Sequence, residues 1–186
     1  TSILDQMLWA SPAPLKDLMV STYGAIERLK RVGWGYNSTY RMLTAARAEG
    51  ERGVARVQEE QLGSLLLHAW SHSQWYREAW AAAGVCEDEI RRSEPFGVLS
   101  RLPFLEKSTL RESTERVEAT GYATRGRTIV HTSGTSGSPM AVPFDTLGRQ
   151  RTFAEWRLYH DYLGLPRSFR TARFSGRIVV APHASR

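Results

Sequence analysis

The sequence predicts an α/β fold in which a helical layer over residues 1–120 leads into the first strands of an incomplete α/β core over residues 121–186. Three observations predict it. Apolar residues recur at three- and four-residue steps through the first hundred-odd positions, the period of amphipathic helices. After Gly121 the pattern changes to short β-prone runs around a loop of Ser, Gly, Thr and Pro. A further helical stretch is then followed by Arg177 to Pro182, an apolar run without polar alternation, as in a strand covered on both faces. Strand, helix and covered strand in succession imply an α/β layer.

The elements follow in order. From Pro14 to about Lys30, Leu15, Leu18, Met19, Thr22, Ile26 and Leu29 form one stripe, while Lys16, Asp17, Glu27 and Arg28 fall elsewhere. Gly33 and Gly35 are expected to end this helix. A second helical stretch, from about Val54 to Ala83, carries Leu62, Leu65, Leu66, Ala69, Tyr76, Ala79 and Ala83 on one stripe and stops at Gly84. It is expected to break near Ser71-His72-Ser73, where serine hydroxyls compete for backbone hydrogen bonds. Pro95, Gly97 and Pro103 predict irregular chain between Glu94 and Pro103, and a short helix then starts near Ser108 or Thr109 and runs through Glu115. Residues 128–132 and 140–144 predict a hairpin whose loop is too long and too glycine-rich to be merely a turn. Asp145 or Thr146 caps the next helix, which runs to Leu163 with Phe153, Trp156, His160 and Leu163 along one face and Gly164 and Pro166 beyond its end.

Composition excludes several classes. With 41% hydrophobic and 24% charged residues, the 186-residue chain matches ordinary globular proteins, so disorder is not expected. The net charge of +6 is spread along the whole length without a nucleic-acid reader motif, and nucleic acid is not an expected partner. The single cysteine, Cys86, excludes an internal disulfide, and its neighbours Glu87, Asp88 and Glu89 oppose a thiolate nucleophile. No apolar run approaches the ~20 residues needed to span a bilayer, so no membrane partner is expected and the cytoplasm is the default location. The chain opens at Thr1 and stops just after Ile178-Val179-Val180-Ala181, an odd place for a domain to finish; a fragment is expected.

The loop Ser133-Gly134-Thr135-Ser136-Gly137-Ser138 combines two glycines with four hydroxyls. Glycines let successive N–H groups turn inward around an anion, and hydroxyls add donors without a fixed charge. The Walker A loop is excluded, because Gly137 is followed by Ser138-Pro139 and a strand rather than by Lys-Ser/Thr and a helix, and the dinucleotide fingerprint is missing. His131 precedes the loop and either touches a phosphate or substrate or faces the sheet as a strand residue. His68 and His72 have the four-residue spacing of a shared metal but no third ligand nearby, so no metal site is expected. Trp70, Trp75, Trp80 and Trp156 are expected in packing, and Arg167, Arg170, Arg173 and Arg177 on a solvated loop rather than against the phosphates of a nucleotide or coenzyme A.

Residues 132–139, Thr-Ser-Gly-Thr-Ser-Gly-Ser-Pro, resemble the signature loop T-S-G-T-T-G-K-P of the adenylate-forming superfamily. Tyr76-Arg77-Glu78 with Ala83-Gly84, and Leu102-Pro103 with Lys107, Leu110 and Arg111, resemble segments of its phenylacetate–CoA ligase-like branch, which also holds coenzyme F390 synthetase-like and capsule-biosynthesis proteins. The resemblance implies the beginning of an adenylate-forming large domain, with Thr132, Ser133, Gly134, Thr135, Ser136, Gly137 and Ser138 around the phosphates of ATP and its magnesium. It further implies an AMP-forming ligase that activates a small-molecule carboxylate as an acyl-adenylate and passes it to a thiol such as coenzyme A. The family's remaining site residues lie later in such proteins, so a further carboxy-terminal polypeptide or a homodimer is an implied partner, and an inactive relic or interaction module is the alternative. Ser138 replaces the family's lysine, a lost charge that either weakens ATP binding or is compensated by Arg125, Arg127 or a later part of the protein.

Overall fold

The computed structural model describes residues 11–121, 127–132 and 141–166. Helix α1 (Ala13–Arg31) carries Pro14 in its first turn, where no intrahelical N–H donor is needed, and Arg28, Lys30 and Arg31 in its last, where cations suit the helix dipole. It ends where predicted, but the two glycines act differently from the expectation. Gly33 is the N-cap of a further helix, α2 (Trp34–Ala48), and Gly35 lies inside that helix's first turn. Gly35 is there for closeness: a Cβ would stand 2.3 Å from Leu147 Cδ1.

Gly50, at φ 73°, turns the chain from α2 into α3 (Glu51–His72), a 22-residue helix roughly 33 Å long at 1.5 Å per residue. The predicted break falls at Ser73. Its Oγ accepts from the Tyr76 N–H at 3.4 Å and caps α4 (Gln74–Ala82), while donating to the Arg116 carbonyl at 3.2 Å. Short helices α5 (Glu87–Arg92) and α6 (Pro95–Leu99) follow. Helix α6 corrects the expectation of irregular chain between Glu94 and Pro103: Pro95 stands in its first turn and the Glu94 carboxylate accepts from the Phe96 and Gly97 N–H groups. The single helix expected up to Glu115 is two, α7 (Lys107–Glu112) and α8 (Thr114–Val117), parted at Ser113.

The carboxy-terminal half of α3 packs on α4, α5 and α6 around Leu66, Trp80, Val85, Ile90 and Val98, each 4% exposed or less. Burying a side chain of this size contributes about 1.5–3 kcal/mol. Its other half packs on α2 through Val57 and Ala46, and at Gly53 the helices come so close that a Cβ would lie 2.4 Å from the Ala46 carbonyl oxygen. Leu65, expected on the buried stripe, is 60% exposed.

Beyond this helical layer, β1 (Thr128–His131) pairs antiparallel with β2 (Ala141–Phe144), and α9 (Thr146–Tyr162) returns to pack on α2. The described architecture is thus mostly helical with a small two-stranded antiparallel sheet, an α/β composition. The expected strand over residues 177–182 lies outside the described residues. The packed face of α9 differs from the predicted one. Ala154 is fully buried and Leu147, Gln150, Arg157 and Asp161 share its side of the helix, whereas Trp156 and Leu163 are each 50% exposed. Helical spacing alone ranked the large aromatics inward; the close α2–α9 contact admits small and polar side chains instead.

Candidate functional site

The hairpin register pairs Thr128 with Phe144, Ile129 with Pro143, Val130 with Val142 and His131 with Ala141. Residues 132–140 therefore connect two adjacent antiparallel strands. Thr132 opens the connection and is exposed. Ser133, Gly134, Thr135, Ser136, Gly137 and Ser138 lie outside the described residues, as does Arg125. His131 stands exposed at the loop end of β1, and the hairpin as a whole is open to solvent, with Ile129 61% and Val130 48% exposed.

Both stems of the hairpin are tied to the helical layer. Ahead of β1, the Thr120 N–H and Oγ1 donate to the His72 carbonyl at 2.7 and 3.0 Å, and Arg127 pairs with Glu118. Arg127 is thus engaged by a carboxylate. After β2, Asp145 Oδ1 accepts from the Gly148 N–H at 2.5 Å and caps α9, the first of the two cap residues the sequence offered.

Helix α9 is then clamped along its length. Arg149 donates to Glu27 Oε2 at 2.6 Å, Gln150 Oε1 accepts from the Gly35 N–H at 3.0 Å, and Tyr40 Oη donates to Asp161 Oδ2 at 2.7 Å, with Arg157 on the other carboxylate oxygen. The hydrogen bond from Lys30 holds the Glu27 carboxyl below its ordinary pKa, against the cost of burial and helped by the Arg149 charge. The clamps made by Arg149, Gln150 and Asp161 to Glu27, Gly35 and Tyr40 were not legible in the sequence, since they join residues more than a hundred positions apart.

The remaining candidates lie on the helices. The His68 and His72 rings stack with centroids 4.5 Å apart, and His72 Nδ1 lies 3.1 Å from the His68 carbonyl oxygen. Burial, then the neighbouring His72, lowers the His68 pKa. Among the described residues no three His, Cys, Asp or Glu side chains gather as a metal site. Cys86 is exposed at the N-cap of α5. Trp80 is in the core as expected, and Trp70 and Trp75 are half-buried, but Trp156 lines a shallow cavity of about 400 Å³ with Glu155 and Tyr159. Among the described residues no helix is long and apolar enough to cross a membrane. No family profile, curated protein or solved structure matches the chain.

Proposed function

We propose that the chain is the amino-terminal part of an ATP-dependent ligase that activates a carboxylate as an acyl-adenylate and passes it to a thiol such as coenzyme A. One observation carries the reading: β1 and β2 pair in register, so the Ser/Gly/Thr segment is the connection of a hairpin with both stems secured, followed by a capped helix. A glycine-rich connection held at both ends orders its N–H groups around an anion at little further entropic cost. In this reading Thr132 to Ser138 surround the ATP phosphates, and the adenine, ribose, acyl and thiol sites are supplied by residues later in the protein. The described residues form no magnesium site of their own, so the metal would be held by the nucleotide and by those later residues.

The second reading, an inactive relic or interaction module of the same fold, is favoured by Ser138 in the lysine position and by the engagement of Arg127 with Glu118. Titration of the whole chain with ATP, with and without magnesium, separates the two. The ligase reading expects saturable binding that Gly134→Val and the Ser133→Ala/Thr135→Ala pair abolish while the thermal melt is unchanged. A folded chain with no ATP affinity favours the relic.

A further inference from the structure

We draw no further inference here: the strongest candidate, the shallow cavity that Glu155, Trp156 and Tyr159 line on the outer side of α9, is part of an exposed aromatic face, and nothing in the structure shows what covers it.

Discussion

Arg149 donates to Glu27 Oε2 at 2.6 Å across 122 residues of sequence. The Glu27 side chain is only 8% exposed and also takes Lys30 Nζ at 3.1 Å and an Arg31 nitrogen at 3.7 Å. A carboxylate so enclosed is stable only while its cations remain, so removing Arg149 should cost more than an exposed ion pair would. Arg149→Ala is expected to lose about 2 kcal/mol in urea unfolding, and Glu27→Gln a similar amount. The double variant should lose less than the two losses added, because both delete one contact.

The same carboxylate sets one limb of the pH dependence. Its folded pKa is lowered by the Lys30 hydrogen bond, so its contribution is fully present above the unfolded value and is lost as pH falls through the folded one. His68 acts earlier in an acid titration. Its folded pKa lies below the ordinary histidine value of about 6.5, so below that pH the unfolded chain binds more protons and stability declines. Urea midpoints between pH 7.5 and 5 should fall in the native chain and flatten in His68→Gln, on the order of one histidine titration. Glu27→Gln should leave that limb unchanged and flatten the one below about pH 4.5.

Gly35 packs against the first turn of α9, and a methyl group there would stand 2.3 Å from Leu147 Cδ1 and 3.1 Å from Gln150 Oε1. Gly35→Ala should therefore destabilise by about 1–3 kcal/mol despite the better helix propensity of alanine. Leu147→Ala in the same chain should recover part of the loss in thermal melts. Additive losses would show that the helices are not in contact here.

Leu65 and Leu66 are sequence neighbours with opposite fates, 60% and 3% exposed. Leu66 lies in the cluster with Trp80, Val85, Ile90 and Val98, so Leu66→Ala should cost about 2–5 kcal/mol by leaving a cavity. Leu65→Ala should stay within about 0.5 kcal/mol of the native chain. Comparable losses for the two would contradict the helix rotation described above.

Elements marked by local chemistry were legible in the sequence. The stripe of α1, the Ser73 break, the hairpin strands and the Asp145 cap each depend on residues within a few positions of one another. Helix α2 was not legible: Trp34-Gly35-Tyr36-Asn37-Ser38-Thr39 opens it with weak helix formers, and its contact with α9 stabilises what local propensity does not. Of the candidate loop, the sequence defined the glycines and hydroxyls, and the structure adds the paired strands at its ends.

By itself, then, the sequence located the elements whose ends carry local signals, the first helix, the break at Ser73, the paired strands and the Asp145 cap, because these follow from backbone preferences and hydrogen bonds between near neighbours. Only the tertiary structure decided which faces are covered. Periodicity identifies an apolar face but not its partner, so the stripe of α1 and Trp156 of α9 face outward while Glu27, Gly35 and Ala154 face inward. The reason is that α1, α2 and α9 meet through the ion pairs of the buried Glu27 carboxylate and through a close glycine contact, and these contacts leave the leucines of α1 on the outer side.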